Sequence, residues 1–198
     1  MSSLAIVPAA GRGSRFGATP KLLAPVGGAP MLERTVGSLL DAGVDGVVVV
    51  VAPDGPPAAL HVLHDPRVAV VVNPDPSRGM FSSIQAGAEY AGRTGVWSAA
   101  AGHPPVLLVL PGDMPFVSPR TVEQIVRACG DSGQIVTPTF KGTRGHPVAL
   151  PAGMLDRILQ APADATLADL RDGWPAGRTT VPVDDPGVLR DVDVPGDL

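Results

Sequence analysis

Residues 4–23 have the sequence LAIVPAAGRGSRFGATPKLL, in which a short apolar strand leads directly into a loop rich in glycine and positive charge. The loop holds the glycines Gly11, Gly13 and Gly17 and the cations Arg12, Arg15 and Lys21. Glycine permits positive φ angles and lets backbone N–H groups approach an anion closely, while the cations supply the charge that a polyphosphate needs. The stretch predicts a loop that binds a nucleoside triphosphate, although a turn whose arginines face water has the same local sequence.

Two commoner phosphate-binding motifs fit this loop poorly. The dinucleotide fingerprint places a third glycine three residues after the second, where this chain has Phe16, and Pro20 and Pro25 make the following segment irregular. Glu33 lies at a suitable distance for a ribose-binding acid, so an NAD(P)-dependent oxidoreductase remains an alternative. The Gly-Lys-Ser/Thr tripeptide of P-loop NTPases is absent from the sequence.

The composition limits the class of protein. A chain of 198 residues, 44% of them hydrophobic, suits one domain, which we expect to span residues 1–198. A net charge of -4 without a basic block argues against a nucleic-acid partner. The single cysteine, Cys129, excludes an internal disulfide and a cysteine-based zinc site. Because no apolar stretch approaches the roughly 18 residues of a membrane span and no leader pattern precedes the first strand, we expect a cytoplasmic protein without a membrane partner.

Short apolar runs alternate with helical patterns along the chain. Runs typical of buried parallel strands occupy residues 4–7, 47–52, 68–72, 106–110 and 135–136. Helices are predicted at residues 31–42, 82–91 and 119–128, ended by Gly43, Gly92 and Gly130, with Ser118 as the N-cap of the third. After residue 145 the pattern loosens, with strands predicted at 147–150 and 179–183 and a short helix at 154–159. The alternation predicts an α/β fold with an open sheet, whose ligands bind beyond the carboxyl ends of the strands.

Acidic side chains follow two extended segments. Asp113 ends the sequence PVLLVLPGD, which places a carboxylate at the carboxyl edge of a buried strand, where a phosphate-bound Mg²⁺ would lie. Asp191 and Asp193 are two residues apart near the end of the chain, so in an extended segment they share a face. Either could complete a Mg²⁺ site, since Mg²⁺ needs few protein carboxylates when phosphate and water supply the other ligands. A Pro-Gly-Asp turn and a solvated tail are the simpler interpretations.

Four further polar side chains lie beside predicted elements. Asn73 follows the strand at 68–72, and Ser82 and Ser83 begin a helix whose N–H groups favour an anion, so the serines suit a ribose or phosphate, or a helix N-cap. His146, in Gly145-His146-Pro147, is a candidate contact for a second substrate.

Taken in order along the chain, these motifs resemble those of the MobA-like nucleotidyltransferases, and within that family those of the molybdenum cofactor cytidylyltransferase branch. The matching segments are residues 8–17 with Lys21-Leu22-Leu23, Asn73, Gly79-Met80, Ser82-Ser83, residues 110–115, Gly145-His146-Pro147, Asp191-Val192-Asp193, Pro195 and Asp197-Leu198. They span nearly the whole chain.

The resemblance implies a Rossmann-like three-layer sandwich with a mostly parallel mixed sheet, of the nucleotide-diphospho-sugar transferase type. It also implies Mg²⁺-dependent transfer of a nucleoside monophosphate from a nucleoside triphosphate to a phosphorylated acceptor, with release of pyrophosphate. In that branch the acceptor is molybdopterin or its molybdenum-loaded form, and a molybdoenzyme or its chaperone is a candidate partner. The sequence Ala9-Ala10-Gly11, where other members have Ala-Gly-Gly, is similar to the cytidine branch and favours CTP over GTP.

The resemblance also assigns roles to residues of this chain. Expected catalytic residues are Arg15, Lys21 and Asp113. Expected nucleotide-binding residues are Ala9, Ala10, Gly11, Arg12, Gly13, Lys21, Asn73, Ser82 and Ser83. Gly145 and His146 are expected to contact the acceptor, and Asp113 and Asp191 to bind the metal.

One departure bears on the acceptor. Where cytidylyltransferases of this type often have Gly-Asp-x-Gly-Ala-Arg, this chain has Pro162-Ala163-Asp164-Ala165-Thr166, which keeps the aspartate and lacks the arginine. A guanylyltransferase, or a nucleotidyltransferase that acts on a sugar phosphate or phospholactate, therefore stays an alternative, as does a domain that binds a nucleotide without turning it over.

Overall fold

The apolar runs form strands of one sheet, as their lack of polar alternation predicts. The computed structural model describes residues 2–11, 16, 20–55, 61–94 and 106–197. In those ranges the strands are β1 (Ser3–Ala9), β2 (Pro25–Val26), β3 (Ala29–Pro30), β4 (Gly46–Val51), β5 (Val68–Val72), β6 (Val106–Val109), β7 (Ile135–Phe140), β8 (Thr143–Arg144), β9 (Val148–Pro151) and β10 (Arg178–Pro182). The α-helices are α1 (Met31–Asp41), α2 (Met80–Thr94), α3 (Pro119–Ser132), α4 (Met154–Gln160) and α5 (Leu167–Arg171).

The main sheet is mixed but mostly parallel. Its strand order is β10-β7-β9-β6-β1-β4-β5, and β8 pairs with β7. β1 lies in the centre, parallel to both β4 and β6, whereas β9 runs antiparallel to β6 and β7. β2 and β3 form a separate hairpin. This single-domain α/β architecture confirms the predicted fold class.

Helices cover both faces of the sheet, because alternate strand residues point in opposite directions. In β1, Ala5 and Val7 join a core with α1 and α3, while Leu4 and Ile6 join a core with α2 and α4. The α2 layer lies very close to the sheet at Gly87, where an added Cβ would stand 2.8 Å from Cγ2 of Ile6. The close contact fixes the depth at which α2 packs.

Helix α3 begins at the predicted Pro119 but ends later than predicted. It continues through Gly130 to Ser132 and ends at Gly133, whose φ of 65° suits glycine and whose N–H donates to the carbonyl of Cys129. Ser118 occupies the N-cap position but makes no side-chain cap. Asp185 caps the helix instead, because its Oδ2 accepts from Ser118 N at 2.9 Å and from Thr121 Oγ1 at 2.7 Å.

The strand at residues 68–72 has the predicted bounds, but its predicted burial is wrong. β5 is the last strand of the sheet order, so one edge lacks a strand neighbour among the described residues, and Val70 and Val72 are 46% and 52% exposed. Helix α2 begins two residues earlier than predicted, and α5, β8 and the β2–β3 hairpin were not predicted. Across the described ranges no helix combines the length and apolar character needed to cross a membrane.

Candidate active site

The loops after β1 and β6 meet at the carboxyl edge of the sheet. The N–H of Gly112 donates to the carbonyl of Pro8 at 3.0 Å, and the hydroxyl of Thr35 donates to the carbonyl of Gly112 at 3.0 Å. An added Cβ at Gly112 would stand 3.3 Å from that of Ala9, so a glycine keeps the two loops close. These contacts bring the glycine-rich loop next to the acidic loop, as parallel strands with adjacent carboxyl ends require.

Lys21 bridges two carboxylates in this region. Its Nζ donates to Asp113 Oδ2 at 2.8 Å and to Asp193 Oδ1 at 2.9 Å. Burial lowers the pKa of Lys21, but its hydrogen bonds and charge interactions with both aspartates act in the opposite direction, and the resulting pKa is raised. The structure thus brings together Lys21 and Asp113, which are 92 positions apart in the sequence.

The carboxyl-terminal segment completes the acidic cluster. Val192 is buried and donates its N–H to the carbonyl of Asp113 at 3.0 Å, while the flanking Asp191 and Asp193 are exposed, as period-two spacing predicts. Asp197 Oδ2 accepts from the N–H groups of Asp193 and Val194 at 2.8 and 2.9 Å. The segment is therefore part of the site, with Asp193 rather than Asp191 on Lys21.

A pocket of about 270 Å³ opens above Lys21, and we call it the nucleotide pocket. Its lining includes the predicted nucleotide-binding residues Ala9, Ala10, Gly11, Lys21 and Ser83, together with Asp113. No described atom lies within 4 Å of the point where a side chain would begin at Gly11, so the backbone there is open to a ligand. The predicted Arg12, Gly13 and Arg15 lie outside the described residues.

Asn73 and Ser82 hold the wall of this pocket rather than lining it. Asn73 is buried, and its Nδ2 donates to Ser82 Oγ at 2.8 Å and to Ser83 Oγ at 3.0 Å. Ser82 donates in turn to the carbonyl of Gly79 at 2.7 Å. Gly79 and Ser83 both line the pocket, so the network positions the start of α2. Ser82 and Ser83 lie in the first turn of α2 and not at an N-cap.

His146 and Gly145 lie just before β9 at the same edge of the sheet. Burial lowers the pKa of His146 below its usual 6.5, and this is the largest effect. A backbone hydrogen bond with Val109 raises the pKa and the charge of Arg171 lowers it, while the charges of Asp113 and Asp191 raise it slightly. The ring is thus neutral at pH 7. Its Nδ1 is buried without a hydrogen-bond partner in the described structure.

Gly145 has a structural role that the sequence did not reveal. An added Cβ would collide with the carbonyl of Val188, so a side chain is excluded at this position. The neighbouring N–H of His146 donates to the same carbonyl at 2.9 Å. The backbone of residues 145 and 146 is thereby fixed against the segment that leads to Asp191.

Both predicted acceptor residues line a second, larger cavity of about 430 Å³. Three arginines share it, namely Arg144 from β8, Arg171 from α5 and Arg178 from β10, and we call it the arginine cleft. None of the three was predicted as a functional residue from the sequence. The motif at residues 162–166 lacks an arginine, but Arg171 lies at the end of the helix that follows, capped at its start by Thr166 and Asp169. That capping box was a signal for α5.

The acidic groups suit a metal bound jointly with phosphate. Among the described residues, no group of three or more His, Cys, Asp or Glu side chains could hold a metal ion alone. Asp113 and Asp191 both exert their charge on the His146 ring, so both carboxylates lie near it. Two carboxylates near the nucleotide pocket are a donor set that would fit Mg²⁺, because Mg²⁺ can take its other ligands from phosphate and water.

Residues 5–178 match the model of the MobA-like NTP transferase domain. The 2-C-methyl-D-erythritol 4-phosphate cytidylyltransferase of Saccharopolyspora erythraea is 32% identical over 200 residues, which cover 96% of this chain and 86% of that protein. The nicotine blue oxidoreductase of Paenarthrobacter nicotinovorans is 30% identical over 156 residues, 75% of this chain and 71% of that protein.

Two further relatives differ in how much of their own length matches this chain. The bifunctional protein GlmU of Hyphomonas neptunium is 29% identical over 173 residues, and the matched part spans 84% of this chain but 35% of that protein. A nucleotidyl transferase from Methanothermobacter thermautotroptrophicus has a TM-score of 0.73 at 27% identity, and the match covers 99% of this chain and 94% of that one. These two matches, like the sequence motifs, extend over most of the chain.

Proposed function

The chain belongs to the family of MobA-like NTP transferase domains, and we propose that it transfers a cytidylyl group from CTP to a phosphorylated acceptor and releases pyrophosphate. The observation that carries this proposal is the bridge from Lys21 to Asp113 and Asp193 beneath the nucleotide pocket. The arrangement combines a fixed cation, acidic groups and an open glycine-containing backbone, which are the components that a triphosphate site needs.

Lys21 is the residue we assign to the charge that develops during transfer. Its raised pKa keeps it protonated at neutral pH, and its two carboxylate partners hold it in place before the substrate arrives. Triphosphate oxygens offer the ammonium group further acceptors in the same pocket. A donor that is already positioned stabilises the charge of the leaving pyrophosphate without reorganisation.

The acceptor phosphate needs positioning more than deprotonation. A phosphate nucleophile is ionised at neutral pH, so its oxygen attacks the α-phosphorus in line while the bond to the pyrophosphate breaks. Neutral His146 lines the cavity beside the nucleotide pocket, where its ring is suited to contact the acceptor. Asp113 and Asp191 would hold Mg²⁺, which when bound neutralises charge between the phosphate oxygens.

CTP and molybdopterin are the substrates we propose to test first. The sequence Ala9-Ala10-Gly11 supports CTP, and so does the 32% identity to a cytidylyltransferase. Molybdopterin, or its molybdenum-loaded form, follows from the resemblance of the motifs. The named acceptor of the Saccharopolyspora relative, 2-C-methyl-D-erythritol 4-phosphate, is the second acceptor to test.

The test is pyrophosphate release from CTP, GTP, ATP and UTP with Mg²⁺, with each acceptor and without one. We expect release that requires CTP and one acceptor. Asp113→Asn should abolish Mg²⁺-dependent release while the protein remains folded by circular dichroism. Tight binding of CTP without pyrophosphate release under any condition would overturn the transferase proposal.

An NAD(P)-dependent oxidoreductase is a second candidate, and the similarity to nicotine blue oxidoreductase favours it. The position of Glu33 argues against it. This residue lies in the first turn of α1 and lines a groove with Arg34, Pro115 and Phe116, outside the nucleotide pocket. Titration with NADPH in the absence of Mg²⁺ decides between the two. Binding that CTP does not displace would favour the oxidoreductase.

A further inference from the structure

The arginine cleft concentrates positive charge that the proposed phosphoryl chemistry does not use. Arg144, Arg171 and Arg178 line it from three different elements of the chain. Arg178 pairs with Asp172 at 2.7 Å, but these side chains are 49% and 71% exposed, so water competes for the pair. The cleft therefore presents three guanidinium groups against one weakly held carboxylate.

Arg171 is the least satisfied of the three. Its Nε is buried and has no hydrogen-bond partner in the described structure. Burial lowers its pKa, and the charge of Arg178 lowers it further; Asp172 acts in the opposite direction, and Arg144 adds a smaller lowering effect. Because a guanidinium stays charged in proteins, its environment favours an oxyanion that would accept from it.

The cleft is also shaped for an organic molecule rather than a small ion. Ile135, Val148 and Leu167 supply apolar walls, and Thr137, Thr179 and Thr180 supply hydroxyl groups. Its volume of about 430 Å³ falls in the range of small-molecule sites. A ligand that reaches Arg171 would place its carbon skeleton against these walls.

The cleft is separate from the place where the phosphoryl group would be transferred. Of the described lining residues, Met80 alone is common to the arginine cleft and the nucleotide pocket. His146 lines the cleft and interacts electrostatically with both Asp113 and Arg171. An anion bound at Arg171 is thus adjacent to the reaction but is not the group that attacks at Lys21.

We propose that the acceptor carries a second acidic group in addition to the attacking phosphate, and that Arg171, with Arg144 and Arg178, binds it. This inference rests on the proposed transferase function and specifies its substrate class. A carboxylate and a phosphate both match the forked geometry of guanidinium, so either can be the second group. Molybdopterin and 2-C-methyl-D-erythritol 4-phosphate each carry one phosphate and neither a carboxylate nor a second phosphate. Both would leave the cleft uncompensated, so the inference favours a different acceptor from those tested first.

Three probes with the same three-carbon frame separate these cases. Glycerol 3-phosphate has one acidic group, 3-phosphoglycerate adds a carboxylate, and glycerol 1,3-bisphosphate adds a phosphate. Binding is measured by calorimetry to the full chain with Mg²⁺ and a non-hydrolysable CTP analogue. We expect one or both of the doubly acidic probes to bind about tenfold or more tightly than glycerol 3-phosphate, as a charge-assisted bidentate contact allows.

Variants then assign the preference to the cleft. Arg171→Gln should remove the preference and leave glycerol 3-phosphate binding unchanged, and Arg171→Lys should restore part of it. Arg127→Gln, which removes an exposed arginine from α3, is the matched control and should keep the full preference. Circular dichroism checks that each variant is folded.

Equal binding of all three probes to the wild-type protein would overturn the inference, and so would a preference that survives in Arg171→Gln. These outcomes are distinct from failure of the transferase proposal. An Arg171-dependent preference without pyrophosphate release would retain the acid site and reject the transfer, whereas release without the preference would do the reverse.

Discussion

The backbone N–H of Val192 donates to the carbonyl oxygen of Asp113 at 3.0 Å, and this hydrogen bond joins the carboxyl-terminal segment to the loop after β6. Val192 is fully buried, so its side chain anchors the same segment in the core above α1 and α3. As a result, Asp193 and Asp113 both accept hydrogen bonds from Lys21.

Replacing Lys21 with alanine tests the central cation. We expect turnover in the pyrophosphate-release assay to fall by about 10²-fold or more, as for loss of a preorganised donor. The fold should be largely unaffected, because Lys21 is not part of the apolar core and its partner Asp193 is exposed to solvent. Turnover equal to that of the wild type would remove Lys21 from the chemistry.

Asp193→Asn and Asp191→Asn should have different effects. The first removes a carboxylate partner of Lys21 and lowers its pKa. Because the pKa of Lys21 in the folded protein is raised above 10.5, its ion pairs are intact below pH 10.5 and are lost as the pH rises through the folded pKa. The Asp193→Asn variant should therefore lose activity at a lower alkaline pH than the wild type. Asp191→Asn should instead raise the Mg²⁺ concentration needed for half-maximal rate. Identical pH profiles and Mg²⁺ requirements in both variants would contradict this division.

His146 should make stability depend on pH. Its pKa in the folded protein is lowered from 6.5, first by burial, so the unfolded chain binds the proton more readily. The stability that neutral His146 contributes is present above pH 6.5 and is lost as pH falls through the folded pKa. Urea unfolding between pH 5 and 8 should show a steeper decline for the wild type than for His146→Gln. Parallel curves would show that another group controls the decline.

Asp185 is expected to support the fold rather than the reaction. Its carboxylate accepts from Ser118 N, Thr121 Oγ1 and Gly187 N, and the residue is buried. Asp185→Ala leaves these donors without their acceptor and removes the cap of α3, so the free energy of unfolding should fall by about 2 kcal/mol. Asp184→Ala, at an exposed neighbouring position, is the control and should change it little. Equal losses in both variants would exclude a capping role.

Local patterns predicted the strands well because apolar runs in a parallel sheet are continuous. They did not distinguish a central strand from an edge strand, so the exposure of Val70 and Val72 was missed. Similarly, Gly130 and Gly133 both fit the end of α3, and the choice depends on which one adopts the left-handed conformation. The Asp185 cap joins residues 67 positions apart, a distance over which sequence periodicity carries no information.

The sequence predicted individual residues of the candidate site but not which of them contact one another. Lys21 and Asp113 were identified separately, from a cationic loop and from a strand end. Their shared hydrogen bond depends on the meeting of two loops, and the identity of the second carboxylate depends on the fixed register of Val192. Arg171 was missed because an arginine at the end of a short helix has no local mark of function; its significance comes from its neighbours in the fold.

A substitution at Gly87 would disturb the nucleotide pocket even though Gly87 does not line it. It sits two turns along α2 from Met80, roughly 10 Å at the rise of an α-helix, and its missing side chain sets how near the helix lies to Ile6. An α-helix transmits displacement along its axis, so even an alanine at Gly87 would shift Met80 and Ser83 at the pocket rim. The geometry of substrate binding thus depends on an apolar interior position that does not line the nucleotide pocket.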